Sequence, residues 1–160
     1  MEITTFEDEN AIMEFSGDFR FLSNFYMNAP FVENGVGFQS VEHYFQACKC
    51  AHASEANPIL NAKTPGEAKR LGRTVKLRPN WESIKLPIMR NAVLLKFSQN
   101  TSIKKRLLET GETTLIEGNN WGDDYWGFCF KKRRGQNYLG KTLMEIRKIL
   151  RDYNLSFFNM

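Results

Sequence analysis

Ser40 commits the residues after it to a helix with two unlike stripes. Serine is a favoured N-cap, and here it opens the run Val41-Glu42-His43-Tyr44-Phe45-Gln46-Ala47-Cys48-Lys49. Seven residues turn a helix to within about 20° of eclipsed and raise it about 10.5 Å. Glu42, Gln46 and Lys49 therefore share one polar stripe, while Val41, Tyr44, Cys48 and Ala51 share an apolar one. Two readings of the polar stripe stand open. It is the solvated face of an ordinary amphipathic helix, or it brings a carboxylate and an amine to one small polar substrate.

The rest of the chain supplies partners for that helix. Thr64-Pro65-Gly66-Glu67 is a capping box with Pro at the first helical position, so a helix should run to about Gly72. Asn80 is placed to cap a helix from Trp81, which Pro87 should interrupt or kink before Ile88, Ala92 and Leu95 carry an apolar face to about Gln99. Ser102–Thr110 reads as a short helix closed by Gly111, and Leu139, Leu143, Ile146, Leu150 and Tyr153 mark a last one. Phe31–Phe38 reads as a hairpin turning at Asn34-Gly35, the pair that a type I′ turn favours. Weaker strand signals lie at Ala11–Phe15, Thr113–Glu117 and Tyr125–Phe130, and Phe19–Phe25 is an aromatic-rich loop. The expected class is α+β: a mainly helical single domain, 1–160, packed around a small, mostly antiparallel sheet.

Apolar residues make up 42% of the 160, with thirteen Phe, which excludes a disordered chain. No apolar run reaches the length of a membrane span, and an acidic N-terminus is not a leader peptide. Cytoplasmic residence is expected, with no membrane partner. Three cysteines, Cys48, Cys50 and Cys129, are too few and too oddly spaced for a disulfide framework. Cys48-x-Cys50 with His52 is narrower than usual zinc spacing and lacks a second ligand pair, so no metal is expected. Residues 1–40 carry seven acids and one Arg, whereas 41–160 carry 21 Lys/Arg and 11 acids. That imbalance favours phosphate-bearing ligands.

Motifs for phosphate-loop, dinucleotide, zincin and serine-hydrolase sites are absent. Two histidines, His43 and His52, have no persuasive catalytic partner, so acid–base chemistry falls to carboxylates and lysines. Glu42 is favoured as an anion by the helix dipole; Lys49 becomes a nucleophile only when burial or neighbouring cations depress its pKa. Glu117, Asp123 and Asp124 beside Trp126-Gly127 form either a sugar-binding loop or a capped turn over a core Trp. Trp81 at a helix start is either core or a surface for a base. Lys131-Lys132-Arg133-Arg134 is either a solvated turn or a phosphate contact, and in the latter case predicts salt-sensitive nucleic-acid binding. Arg20, alone among acids, meets a substrate phosphate or pairs with a neighbour such as Asp18.

In order along the chain stand Phe21-Leu22-Ser23-Asn24-Phe25, Ser40 to Ala47 with Lys49, Ala68-Lys69-Arg70-Leu71-Gly72-Arg73, Asn80-Trp81-Glu82, Met89 with Lys96-Phe97, Asp123 with Trp126-Gly127, and Gly135 to Lys141 with Leu143-Met144 and Arg147. Together they resemble the NADAR family of YbiA-like N-glycosidases over residues 14–151. The resemblance implies hydrolysis of the bond between ribose C1 and an exocyclic amine. The implied substrate is either a phosphorylated ribosylamino-pyrimidine intermediate of riboflavin synthesis or ADP-ribosylated guanine, including guanine in nucleic acid. It implies no cofactor. By position, the family's acid corresponds to Glu42, its helix-start indole to Trp81, and its C-terminal loop pair to Asp123 and Trp126. Catalysis is then expected from Glu42 with Lys49 or Asp123. Ser23, Asn24, Trp81, Trp126, Gly127 and Asn137 are expected to contact substrate, with Arg20 on its phosphate. A module that binds ADP-ribose or a nucleotide without turnover is the alternative. The bulky basic run Phe128–Arg134 departs from the Gly-rich family pattern.

Overall fold

A computed structural model describes residues 10–158, in two compact units: residues 24–101, and residues 10–23 with 102–158. The acidic residues 1–9 lie outside the described residues, as do the side chains that end the apolar tail. Mainly helical architecture with two-stranded sheets is found, as expected. The strands form two separate pairs, one antiparallel and one parallel.

The unit of residues 24–101 is built around one short helix. β1 (Phe31–Glu33) and β2 (Val36–Phe38) pair antiparallel, Glu33 opposite Val36. Asn34 and Gly35 turn the hairpin at φ 51° and 79°, the positive values a type I′ turn requires. α1 (Val41–Cys48) follows, with the Ser40 hydroxyl accepting the His43 amide. Around it pack α2 (Ala53–Leu60), α3 (Pro65–Gly72) and α4 (Trp81–Gln99). Enclosure on several sides explains why Val41 through Gln46 are all buried, polar residues included. His43 is satisfied there: its Nε2 meets the Ala62 carbonyl at 2.9 Å and its Nδ1 the Ser40 hydroxyl at 2.7 Å.

α2 is a helix that the sequence did not announce: Pro58 lies inside it, and Ile59 anchors it in a cluster with Ala62 and Ala68. Two local expectations in this unit are corrected. Pro87 does not interrupt α4. A Pro inside a helix costs about 3 kcal/mol, but Met89, Ala92, Val93 and Phe97 beyond it are buried, and α4 packs on α1 and β1. Asn80 stands before α4 without a capping side-chain bond. At α3 the expectation holds: Thr64 accepts the Glu67 amide at 3.1 Å, while the Glu67 carboxylate turns to the Lys63 amide.

The other unit holds a 3-10 helix (Gly17–Leu22), α5 (Thr101–Glu109, from its second residue), β3 (Gly118–Asn119), β4 (Phe128–Cys129) and α6 (Tyr138–Phe158). The 3-10 helix takes up Phe19 to Leu22 of the stretch expected as an aromatic loop. Leu139, Leu143, Ile146 and Leu150 are buried as the helical spacing predicts, whereas Tyr153 is exposed. The strand expected at Thr113–Glu117 is reduced to a parallel bridge between Leu115 and Ile12. The cause is Asn137: its side chain accepts the Glu117 amide and donates to the Leu115 carbonyl, taking the place of a neighbouring strand. Among the described residues, no helix is long and apolar enough to cross a membrane.

Candidate active site

Glu42 and Gln46 on α1, with Lys49 at its C-cap, form one row. Glu42 is only 6% exposed, so the solvated reading of the polar stripe does not hold for it. Its amide is held by the Asn24 carbonyl at 3.1 Å, which brings Asn24 to the start of the helix. The Asn24 side chain donates to Met89 Sδ. Gln46 Nε2 donates to Glu42 Oε1 at 2.8 Å and fixes the carboxylate. Lys49 is the C-cap and still lies in the helical region, so the row continues to its amine.

Burial lowers the Lys49 pKa from its ordinary 10.5, Arg73 and Lys69 push it the same way, and Glu42 opposes them. These are the conditions under which a lysine becomes a nucleophile. The thiols nearby are unsuited to that work, since burial raises Cys50 and carries Cys48 to about 11.

Gly72 lets α3 lie against this row. A Cβ there would stand 1.9 Å from Gln46 Oε1 and 3.0 Å from Lys49 Cε. Gly72→Ala therefore pushes Gln46 off Glu42. Overpacking costs about 1–3 kcal/mol, and the helix propensity of Ala returns up to about 1. We expect a small loss in denaturant midpoint but a fall in kcat of about tenfold or more, because misplacing a catalytic group by an ångström is costly.

Trp81 is 6% exposed and packs on Phe45 at 5.0 Å between ring centres, which makes it a wall of the core more than an open platform. Lys96 is a second amine that burial removes from water, at 2% exposure and 5.0 Å from the Phe97 ring centre. It lies four residues after Ala92 and seven after Met89, both buried. That spacing was its signal, and sequence reasoning used it only as part of a motif.

The remaining sequence candidates lie in the other unit. Asp123 Oδ1 accepts the amides of Tyr125 and Trp126 at 3.2 and 2.9 Å, and the Asn119 side chain grips the Asp123 backbone from both ends. Asp123 thus caps the turn that presents Trp126, a half-buried ring beside Tyr125. Gly127 is required by close approach, since a Cβ would meet the Glu117 carbonyl at 2.1 Å. Asn137 is fully buried, at φ 52°, with both ends of its amide engaged by backbone. Ser23 is half-buried. Arg20 is exposed, and among the described residues no ion pair joins it to Asp18. In the basic turn, Asp124 pairs with Arg134 at 2.8 Å and Lys132 at 3.4 Å, and those cations hold its carboxyl below the usual range. A cavity of about 360 Å³ in this unit, lined by Asp18, Phe19, Phe21, Arg106 and Thr110, contains none of the candidates. Arg106 there is taken up by the Asp18 carbonyl and the Phe21 ring.

Comparison with known proteins places this geometry in a family. Residues 9–151 match the NADAR domain, and the chain belongs to the NADAR family. It is similar to N-glycosidase Npun_R5314 of Nostoc punctiforme, 44% identical over 71% of this chain and 74% of that one. N-glycosidase YbiA of Escherichia coli is 37% identical over 84% of both chains. The NMR structure of E. coli YbiA matches with a TM-score of 0.79 at 33% identity, covering 95% of each chain. The riboflavin biosynthesis protein VVA0006 of Vibrio vulnificus is 37% identical over 84% of this chain but only 37% of its own length. With these relatives, the chain is an N-glycosidase.

Proposed function

We propose that the chain hydrolyses the bond between ribose C1 and an exocyclic amine, with Glu42 moving protons and Lys49 attacking C1. The observation that carries this reading is the Glu42–Gln46–Lys49 row, a buried carboxylate held by Gln46 and followed along the same row by a half-buried amine whose pKa burial lowers. Glu42 gives a proton to the ring oxygen, and the ring opens to an imine between C1 and the substrate nitrogen. The neutral Lys49 amine adds to C1. The addition leaves an extra proton on the Lys49 nitrogen; Glu42, now a carboxylate, takes it and passes it to the substrate nitrogen, the C1–N bond to that nitrogen breaks, and the amine leaves. Lys49 is then held as a Schiff base. Water adds to C1, the lysine is released, and the freed sugar recloses its ring. The sum is one water consumed per bond cleaved. Asp123, the other acid considered, has Oδ1 occupied by two backbone amides, which favours Glu42 as the proton carrier.

The substrate bears phosphate, as a ribosylamino-pyrimidine phosphate or as an ADP-ribosyl group on guanine. One feature favours guanine carried on nucleic acid. Trp121 is 71% exposed, and Lys132 Nζ meets the carbonyl of its neighbour Gly122 at 2.8 Å, which sets an indole beside the basic turn. A ring for stacking next to cations suits a single strand. The test is turnover of both substrates side by side, with chromatography of the released amine. Release from either supports the N-glycosidase reading, and the faster substrate identifies the class. Tight binding without release from both contradicts it.

A further inference from the structure

We infer that Lys69 on α3 and Arg73 at its C-cap, on either side of Gly72, form the subsite that takes the substrate's phosphate beside Glu42 and the attacking Lys49. This deepens the N-glycosidase reading and rests on it. It assigns the phosphate to residues that the sequence offered only as part of a family motif, in place of Arg20.

Lys69 and Arg73 are four residues apart, so they share a face of the helix. Gly72 stands beside that face, and its missing side chain lets Lys49 and Gln46 pack there. Lys49 thus packs on α3 at Gly72, next to Arg73 and three residues after Lys69, and both cations act on its charge. The acids of the neighbouring elements are spent elsewhere. Glu67 accepts the Lys63 amide, Glu55 the Lys76 amide, and Glu42 the Gln46 side chain. Among the described residues, no ion pair joins an acid to Lys69 or Arg73. Lys69 instead lies 5.8 Å from the centre of the Phe25 ring.

A cation in the last turn of a helix is ordinary, because it offsets the dipole. That accounts for Arg73 or Lys69, but not for the two together beside an amine that packs at Gly72 from α1. A doubly charged phosphate offsets Lys69 and Arg73, where a singly charged carboxylate would offset only one of them. The second observation is Gln46 Oε1, an atom buried with no hydrogen-bond partner in a residue 6% exposed. Its Nε2 is committed to the Glu42 carboxylate, so the oxygen must face Gly72 and Lys49. An unsatisfied buried acceptor calls for a donor. Cations for an anion and an acceptor for a hydroxyl, a few ångströms apart, are the complement of a sugar phosphate.

The test is calorimetric binding of ribose 5-phosphate, ribose and ADP-ribose to the full chain, to the Lys69→Gln/Arg73→Gln double variant, and to Arg70→Gln. Arg70 is an exposed cation of the same helix, outside the site. Wild type should prefer ribose 5-phosphate to ribose by about tenfold or more, the scale of one charged hydrogen bond. The double variant should lose that preference and Arg70→Gln should keep it. In turnover the double variant should raise KM about tenfold, as lost phosphate binding does, and should move the pH limb of kcat upward, because Lys69 and Arg73 no longer favour the neutral Lys49 amine. If ADP-ribose binds tighter and with the same dependence, the subsite holds a diphosphate; if ribose 5-phosphate does, a monoester. The inference is overturned by equal affinity of wild type for ribose and ribose 5-phosphate. A preference retained in the double variant, or lost equally in Arg70→Gln, also overturns it. Should the preference follow Lys69 and Arg73 while no substrate releases an amine, the subsite stands and only the catalytic reading falls.

Discussion

Glu42→Gln will lower kcat by about 10³-fold, within the range that general acid–base groups contribute, and will leave the fold intact. The amide has the shape of the carboxylate, and its oxygen can still accept the Gln46 Nε2 hydrogen bond that the structure gives to Glu42. With that bond kept, thermal unfolding should shift little. The direction of a second effect sharpens the test. Glu42 raises the pKa of Lys49, so its neutralisation leaves more of the amine uncharged. If Glu42 acted only as the counter-ion of Lys49, the variant would supply more free nucleophile and turn over faster. A loss therefore reports proton transfer, and a gain in rate would contradict the role given to Glu42.

Lys49→Met will lower kcat by about 10⁴-fold or more, the scale on which removal of a covalent nucleophile is felt. Lys49→Arg should not rescue it, because a guanidinium stays protonated and cannot form a Schiff base. Rescue by Arg would mean that Lys49 only holds an anion. The wild-type rate should rise with pH along a limb whose midpoint lies below 10.5, since burial, Arg73 and Lys69 all favour the neutral amine. Stability should follow with the same sign. Below its folded pKa, Lys49 is a charge that the fold has partly desolvated. Between that value and 10.5, the unfolded chain holds a proton that the folded chain has lost, so stability rises with pH in that window. Urea titrations across it should show the rise in wild type and a flatter curve in Lys49→Met.

The features legible in the sequence are those written in local chemistry. The Ser40 cap, the Asn34-Gly35 turn, the Thr64-Pro65 start of α3 and the Gly111 stop each stand where the residues place them. α2 and the unbroken α4 were hidden because Pro58 and Pro87 oppose a helix locally, and only burial on distant residues overrules them. The shortened strand at Leu115 was hidden for a similar reason, since its partner is the side chain of Asn137, 22 residues on. In the site, the polar stripe of α1 was visible as spacing, but its burial was not, because the covering helices α2, α3 and α4 are not in its own sequence. Gly72, Lys69 and Arg73 carried no chemical signal until the packing of α3 set them beside Lys49. Asp123 and Asn137 show the converse. Their side chains hold backbone in place, a use that composition alone does not separate from contact with a sugar.

Borohydride reduction during turnover tests the account most directly, because it freezes a lysine Schiff base as a stable amine. Peptide mass spectrometry should find the reduced pentose on Lys49 in wild type and no adduct at that position in Glu42→Gln. Full turnover with Lys49 unmodified, or the sugar trapped on Lys96 instead, would contradict it.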